Sequence, residues 1–315
     1  MKPHGWIILD KPLELGSTQA VGAVKRNLRE AGLLGKGNDK TKVGHGGTLD
    51  PLATGVLPIA IGEATKLCGR MLDASKIYEF TIVFGEETET LDAEGAVSET
   101  SDHLPTLEQV EAILPQFTGP IGQIPPKYSA LKIDGKRAYD LARSGEAIEM
   151  KTRNVTVFDL SVASPFEGKG ELVSVTLSAH VSKGTYIRSL ARDIARGLGT
   201  VGHVSMLRRT KAGPFTLAHA ISLDKLNEIG KGADIKHYLL PLEEGLDDIP
   251  AFALTPDQAR LLRQGMTLDE QDLIGNPAHK QGLHGLFLAT DGDHSPVALA
   301  EFINGTVKVV RGFNL

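Results

Sequence analysis

An aspartate in a glycine-rich loop is the residue best placed for chemistry in this 315-residue chain. Asp50 follows Gly44, Gly46 and Gly47 and precedes Pro51. Glycines permit backbone conformations that other residues avoid, and they let another molecule approach the main chain closely. A carboxylate on such a loop could act as a covalent nucleophile without a metal. Asp-Pro is also a common turn, so the local pattern leaves a structural turn and a nucleophile both open.

Several other catalytic patterns are absent from the sequence. It contains no C-x-x-C pair and no H-E-x-x-H, so we predict no metal site. It also contains no G-x-x-x-x-G-K-[ST] phosphate loop and no G-x-S-x-G nucleophile elbow. The string GLGTVG at 197–202 matches the dinucleotide fingerprint, but it follows a predicted helix rather than a strand, which favours a helix C-cap. A carboxylate that works without a metal remains as the candidate.

The charge distribution bears on nucleic-acid binding. The net charge of −5 argues mildly against a nucleic-acid partner. The segment 181–213, however, contains seven basic residues and one acid. Such a segment could bind phosphates or could simply be a solvated face, and charge alone does not decide between them. The single cysteine, Cys68, fits a reducing cytoplasm, and no apolar run reaches the ~20 residues that cross a bilayer.

Hydrophobic periodicity predicts the elements that would position these residues. Strands are predicted at 6–9, 77–84, 153–163 and 172–181, and helices at 63–72, 107–117 and 185–198. Another helix is predicted to begin at an N-cap formed by Ser17 or Thr18. The stretch 43–62 is interrupted by glycines and prolines and is predicted to be irregular. Helices and strands mix without βαβ alternation, so we predict an α+β fold with a mixed or antiparallel sheet. We also predict a boundary near residue 250, which would separate a domain at 1–249 from a small β-rich module at 250–315.

An ordered set of motifs resembles the TruB family, the bacterial tRNA pseudouridine(55) synthases. The motifs occupy most of residues 5–215 in the family's order: GWIILDKP (5–12), GHGGTLDPLATGVL (44–57), GEATK (62–66), KIY (76–78), TLDAEG (90–95), QIPPKYSALK (123–132), SKGTYIRSL (182–190) and LRRT (207–210). The resemblance implies a pseudouridine synthase catalytic domain followed by a PUA-like RNA-binding module. It also implies isomerisation of the T-loop uridine at position 55 of tRNA, with base flipping and no cofactor. The expected partner is the tRNA T-stem-loop, and a cytoplasmic monomer without an obligate protein partner is expected.

The resemblance also implies roles for individual residues. Asp50 would be the nucleophile, Arg188 would pair with it, and Tyr78 would stack on the target base and assist proton removal. Tyr186 and Leu207 would line the same pocket. Each residue also has an ordinary structural interpretation: a surface cation for Arg188, half-buried tyrosines for Tyr78 and Tyr186, and a core leucine for Leu207.

A second group of residues would bind the rest of the RNA. His45 would fill the space left by the flipped nucleotide, although a hydrogen-bonded loop histidine is an ordinary alternative. The candidates for phosphate contacts are Lys183, Arg208, Arg209 and Lys132, for which solvated charge is the alternative.

Three functions are therefore open: a stand-alone tRNA uridine isomerase, a non-catalytic RNA-binding protein on the same scaffold, and a guide-RNA-dependent relative within a multiprotein particle. The resemblance favours the first.

Overall fold

A ten-stranded mixed sheet dominates the protein. The computed structural model describes residues 2–35, 40–129, 131–133, 136–144, 150–163, 170–229, 235–273 and 284–315. The strands in these ranges are β1 (Gly5–Lys11), β2 (Val43–His45), β3 (Ala53–Ile61), β4 (Lys76–Phe84), β5 (Glu86–Thr88), β6 (Val97–Thr100), β7 (Gly119–Gln123), β8 (Lys132–Ile133), β9 (Lys136–Arg137), β10 (Arg153–Val162), β11 (Ser174–Val181), β12 (Gly202–Ala212), β13 (Phe215–Thr216), β14 (Ile221–Ser222), β15 (Ala251–Ala253), β16 (Leu268–Asp269), β17 (Gly285–Thr290), β18 (Pro296–Ile303) and β19 (Thr306–Gly312).

The α-helices lie between these strands. In the same ranges they are α1 (Ser17–Glu30), α2 (Cys68–Asp73), α3 (Leu107–Ile113), α4 (Ala138–Arg143), α5 (Ile187–Gly197), α6 (Leu223–Ile229) and α7 (Pro256–Arg263). Short 3-10 helices add Gly62–Leu67 before α2 and Leu114–Phe117 after α3, so the predicted helices at 63–72 and 107–117 are confirmed in outline. No helix in the described ranges is long and apolar enough to cross a membrane.

The order of the strands confirms the predicted fold class. The large sheet runs β14-β1-β3-β12-β4-β11-β10-β7, with β2 beside β3 and β13 beside β12. The pairs β1–β14 and β3–β12 are parallel, and the other pairs are antiparallel. The protein is therefore α+β with a mixed sheet.

The prediction of an irregular stretch at 43–62 is confirmed for residues 46–52 but wrong for the residues on either side. This stretch contains β2 and the nine-residue strand β3, which lies between β1 and β12 in the sheet. Gly55 and Pro58 lie within β3 and suggested a loop. Gly55 has a positive φ of 99°, and a β-carbon there would lie 2.2 Å from the carbonyl oxygen of Arg209 on the neighbouring strand. The glycine is thus needed for close approach of two strands rather than for a turn.

The predicted N-cap of the first helix is also wrong by one residue. Gly16 is the N-cap of α1, and Ser17 is the first helical residue. The Ser17 side chain is buried and forms two hydrogen bonds with the main chain of Leu49, so it connects α1 to the loop that carries Asp50.

Helix α5 packs on the large sheet through one apolar side. Its buried residues recur at helical spacing: Ile187, Leu190, Ala191, Ile194 and Ala195. They join a hydrophobic cluster with residues of β4 and β11, including Phe80 and Leu177. This packing fixes the start of α5 against the middle of the sheet.

The C-terminal residues form a second, five-stranded sheet in the order β15-β17-β18-β19-β16. This confirms the predicted β-rich module. Leu288, Leu299 and Phe313 pack in one cluster with Trp6 and Leu246 of the preceding part of the chain. The division of the chain at residue 250 stays a prediction, because the hydrophobic cluster crosses it.

Candidate active site

The loop that carries Asp50 is fixed through its main chain. Ser17 Oγ accepts a hydrogen bond from the N–H of Leu49 at 2.7 Å and donates one to the C=O of Leu49 at 2.9 Å. The C=O of Pro51 accepts a hydrogen bond from the N–H of Glu14 at 2.9 Å. The C=O of Asp50 accepts one from the N–H of Ala53 at 3.0 Å, so the turn predicted from Asp-Pro is present. On the loop itself these contacts use only main-chain groups, so they do not engage the carboxylate of Asp50.

Lys11 also fixes this loop, through hydrogen bonds from its side chain. The lysine is buried, and its Nζ donates to the carbonyls of Pro12, Leu15 and Pro51 at 2.9, 2.6 and 3.1 Å. Burial lowers the pKa of Lys11 to about 8; the nearby charge of Asp50 raises it, and that of Arg209 lowers it. The sequence motif LDKP thus supplies a structural cation close to Asp50.

Arg209 fixes the glycine-rich part of the loop. It is 1% exposed, and its guanidinium donates to the carbonyls of Val56, Thr48 and Gly47 at 2.7, 3.3 and 3.2 Å. The prediction that Arg209 contacts phosphate is wrong, because its donors are committed to backbone carbonyls inside the protein.

Arg188 pairs with Asp50. Its Nη2 lies 2.8 Å from Oδ2 of Asp50, and its Nη1 lies 3.0 Å from Oδ2 of Asp92. The same two nitrogens donate to the carbonyls of Tyr128 and Thr90, at 3.0 and 2.9 Å. Only 8% of the arginine side chain is exposed, against 44% of the Asp50 side chain. The buried guanidinium is therefore held in one orientation, while the carboxylate still reaches solvent.

The position of Arg188 conflicts with the dipole of its helix. It lies in the first turn of α5, where the positive end of the helix dipole disfavours a cation. Asp50 and Asp92 supply the opposing charge. Asp92 is itself fixed, because its Oδ1 accepts hydrogen bonds from Thr90 Oγ1 at 2.5 Å and from the N–H of Glu94 at 3.1 Å. A cation in the first turn of a helix departs from the usual preference, and neighbouring acids compensate for it here. Such compensated departures are typical of functional sites.

A pocket of about 330 Å³ opens beside Asp50. Its wall combines an ionic edge with apolar and aromatic surface. The lining includes Asp50, Arg188, Tyr78, Tyr186, Leu207 and Leu72. Tyr78 comes from β4, Leu207 from β12, and Arg188 from α5, so the pocket lies where the sheet, the helix and the Asp50 loop meet. The structure thus brings together the five residues predicted to act on the base.

Tyr186 is positioned through its main chain. The residue is extended and immediately precedes α5. Its N–H donates to Gln123 Oε1 at 2.8 Å, and its C=O accepts from Gln123 Nε2 at 3.1 Å. Gln123 is 1% exposed and begins the motif QIPPKYSALK. Its positioning role was not predicted, although the motif containing it was identified.

The residues predicted to bind the rest of the RNA are more scattered. Lys183 is exposed and forms an ion pair with Asp73 at 2.8 Å, next to the pocket residues Leu72 and Gly184. Arg208 instead pairs with Asp10 at 2.9 Å. Because neighbouring side chains of a strand point to opposite faces, Arg208 faces away from the pocket that Leu207 lines. The phosphate contacts of Lys183 and Arg208 stay predictions, and the side chain of Lys132 lies outside the described residues.

His45 lies on β2, and it is not among the residues that line the pocket. Burial lowers its pKa below the ordinary value, and the charge of Arg209 lowers it further. The N–H of Gly47 donates to His45 Nδ1 at 3.3 Å, which requires that nitrogen to be unprotonated. His45 is thus neutral in this contact, and its predicted role beside a flipped nucleotide stays a prediction.

A second cavity, of about 480 Å³, adjoins the ion pair. Asp50, Arg188 and Ser129 line both cavities. The remaining wall of the second cavity includes Tyr128, Tyr139 and Asp92. In the described ranges, no group of three or more histidine, cysteine or acidic side chains is arranged to hold a metal ion.

Comparisons with known proteins place this chain in a family. Residues 36–187 match the model described as TruB family pseudouridylate synthase (N terminal domain), and residues 188–247 match the tRNA pseudouridylate synthase B C-terminal domain. A protein of Novosphingobium aromaticivorans named tRNA pseudouridine synthase B is 61% identical, over 99% of this chain and 97% of its own length. A protein of the same name from Zymomonas mobilis is 55% identical, over 99% and 96%.

A solved structure supports the fold. It is an H/ACA RNP bound to a substrate RNA containing 2′-deoxyuridine, with a TM-score of 0.70, 23% identity and coverage of 99% of this chain and 85% of that one. At this identity the likeness bears on the fold alone. Together with the family models and the two relatives, it agrees with the motif resemblance: the chain belongs to the TruB family of pseudouridylate synthases, which are isomerases.

Proposed function

We propose that this chain converts the uridine at position 55 in the T-loop of tRNA to pseudouridine, with Asp50 as nucleophile and after flipping the base into the pocket. Membership of the family and the names of the two relatives support pseudouridine formation in tRNA. The nucleophilic role of Asp50 and the flipping of the base are more specific than this family membership, and both proposals rest on the geometry of the site. The observation that carries them is the half-exposed Asp50 carboxylate, held by a buried arginine at the edge of an aromatic and apolar pocket.

The pocket suits a flipped uracil. Its aromatic and aliphatic side chains, Tyr78, Tyr186 and Leu207, can contact the faces of a planar base. Flipping a nucleotide costs a few kcal/mol, and stacking on an aromatic ring returns about 1–3 kcal/mol per base. The glycosidic bond of the flipped nucleotide would then lie at the mouth of the pocket, beside Asp50.

The reaction follows from this placement. Asp50 attacks the ribose or promotes cleavage of the bond between C1′ and N1 of uracil. The freed uracil turns within the pocket, and its C5 forms a new bond to C1′. The proton on C5 is then lost and N1 gains one, so that the product is an isomer of the substrate. Tyr78, which lines the pocket, is the candidate for assisting removal of the C5 proton.

Arg188 keeps Asp50 ready for this step. The guanidinium, with its Nη2 2.8 Å from Oδ2 of Asp50, fixes the direction of the carboxylate. Because the guanidinium is also bonded to Asp92, Thr90 and Tyr128, it is held in place independently of Asp50. The carboxylate can therefore form and release a bond to the ribose without reorganisation of its partner.

The test uses the purified full-length protein and an unmodified tRNA transcript, with no other protein or guide RNA. Pseudouridine should form in the T-loop at position 55 and at no other uridine. In cells that lack the protein, the same position should remain uridine. Conversion at another position would disprove the proposed target, and conversion only after adding other factors would disprove stand-alone activity.

A further inference from the structure

Ser129 carries a buried hydroxyl that has no hydrogen-bond partner among the described residues. The residue is 4% exposed. Its main chain is engaged, because its C=O accepts a hydrogen bond from the N–H of Tyr139 at 3.0 Å. A buried polar group without a partner costs free energy, so such a group calls for an explanation. Binding of a substrate atom is one explanation, and the position of Ser129 supports it.

Ser129 lines both cavities beside the ion pair, and among the residues that the structure describes it shares that position only with Asp50 and Arg188. Both Nη atoms of Arg188 are already bonded to carboxylate and carbonyl oxygens. Beside these engaged Nη atoms, the side-chain oxygens of Asp50 and Ser129 retain hydrogen-bonding capacity for another molecule. A hydroxyl can donate and accept, whereas the carboxylate only accepts.

Thr200 provides a comparison within the same protein. Its Oγ1 is also buried and without a partner among the described residues, and the residue is likewise 4% exposed. Thr200 follows α5 at the end opposite to Arg188 and lines neither cavity. Burial without a partner is therefore not sufficient to indicate a role, and the location of Ser129 at the two cavities is what distinguishes it.

We propose that Ser129 Oγ binds the 2′-hydroxyl of the ribose whose glycosidic bond is broken. This inference rests on the proposed function, which puts the uracil in the first pocket and its ribose beside Asp50. The group that bridges the base pocket and the neighbouring cavity is then the ribose, and Ser129 lies at that junction. A ribose 2′-hydroxyl both donates and accepts, which matches the chemistry of a serine hydroxyl. Ser129 is thus a substrate-binding residue that helps to select a ribonucleotide.

A double-mutant cycle between protein and RNA tests this contact. The rate constant kcat/KM is measured for wild type and Ser129→Ala on two T-arm RNAs, with uridine or 2′-deoxyuridine at the target position. One neutral hydrogen bond corresponds to a change of about two- to tenfold. We expect kcat/KM of Ser129→Ala to lie below the wild-type value by this factor on the uridine RNA. On the 2′-deoxyuridine RNA it should lie within twofold of wild type.

Two results would overturn the proposal. Equal losses for Ser129→Ala on both RNAs would show that the hydroxyl acts without the 2′-hydroxyl, and no loss on either RNA would show that it does not act. Thr200→Val is the matched control, because it removes the other unpartnered buried hydroxyl and should leave both rates unchanged. Thermal unfolding of each variant checks that the fold is intact.

Failure of the proposed function would look different. In that case the wild-type protein would form no pseudouridine at position 55 in the uridine RNA. The contact is also tested on unaltered protein, since wild type should process the 2′-deoxyuridine RNA more slowly than the uridine RNA. Equal wild-type rates on the two RNAs would contradict the proposed contact even if Ser129→Ala failed to fold.

Discussion

Nη2 of Arg188 lies 2.8 Å from Oδ2 of Asp50, and the two side chains differ sharply in exposure. The arginine is buried and bonded to three further oxygen atoms, whereas the carboxylate is 44% exposed at the pocket. One partner is therefore rigid and the other is accessible. This asymmetry is what a nucleophile requires, because its counter-ion must stay in place while it reacts.

Replacing Arg188 by lysine should impair the reaction more than RNA binding. Lysine keeps the charge, but a single ammonium cannot reproduce the two-nitrogen contacts to Asp50, Asp92 and the carbonyls. Misplacement of a reacting group by about 1 Å can cost on the order of 10²-fold in rate. We expect kcat of Arg188→Lys to fall by about that factor or more, with the Kd for tRNA changed by less than about threefold. Arg196→Lys, at an exposed position on the same helix, is the control and should retain its activity.

Ser17 should act on catalysis through the main chain of Leu49. Ser17→Ala removes both hydrogen bonds to the peptide groups of the residue before Asp50. We expect kcat to fall about tenfold or more, with KM nearly unchanged, because the loop loses its position while the pocket remains. Thr18→Ala alters an exposed neighbour and is the control. A parallel rise in KM, or wild-type kcat, would show that Ser17 does not position the loop.

Much of the fold could be predicted from sequence, because β4, β10, β11 and α5 carry clear hydrophobic periodicity. The strand β3 could not, since Gly55 and Pro58 resemble loop residues and the need for glycine arises only from Arg209 on β12. For the site, the motifs identified Asp50, Tyr78, Tyr186, Arg188 and Leu207, which the structure brings to one pocket.

The positioning residues were harder to predict. Lys11, Ser17 and Gln123 act by binding backbone groups that are distant in the sequence, and no local pattern reports such contacts. Arg209 was predicted to bind phosphate, with solvated charge as the alternative, and neither interpretation holds. Its burial depends on the carbonyls of Gly47, Thr48 and Val56, which only the folded chain brings together.

The role of Gly55 predicts a contrast between two glycine substitutions. Gly55→Ala would bring a methyl group to 2.2 Å from the carbonyl oxygen of Arg209, at a φ of 99° that alanine disfavours. We expect a loss of at least about 2 kcal/mol in the free energy of unfolding. Gly22 lies within α1 and has open space around it, so Gly22→Ala should stabilise by roughly 0.5–1 kcal/mol. Urea denaturation of both variants measures the contrast, and similar effects of the same sign would contradict it.

The buried lysine predicts a pH dependence of stability. The pKa of Lys11 is lowered to about 8 in the folded protein, mainly by burial, from 10.5. Between these two values the unfolded chain binds the proton and the folded chain does not, so this group makes the free energy of unfolding rise with pH. The free energy of unfolding of wild type minus that of Lys11→Met should therefore increase from pH 8 to 10. Lys76, whose pKa burial also lowers to about 8, should show the same sign in Lys76→Met. A difference that stays constant or falls over this range would contradict the assignment.

The substitution Asp50→Asn tests whether Asp50 is the nucleophile of this pseudouridine synthase. The substitution preserves the size of the side chain and removes its charge, so the fold and the surfaces that contact RNA should persist. The measurement is single-turnover pseudouridine formation at position 55 of an unmodified tRNA transcript, with the Kd for the same tRNA determined in parallel. If Asp50 is the nucleophile, we expect no detectable pseudouridine and a Kd within about threefold of wild type. Pseudouridine formation by Asp50→Asn at the wild-type rate would contradict this role.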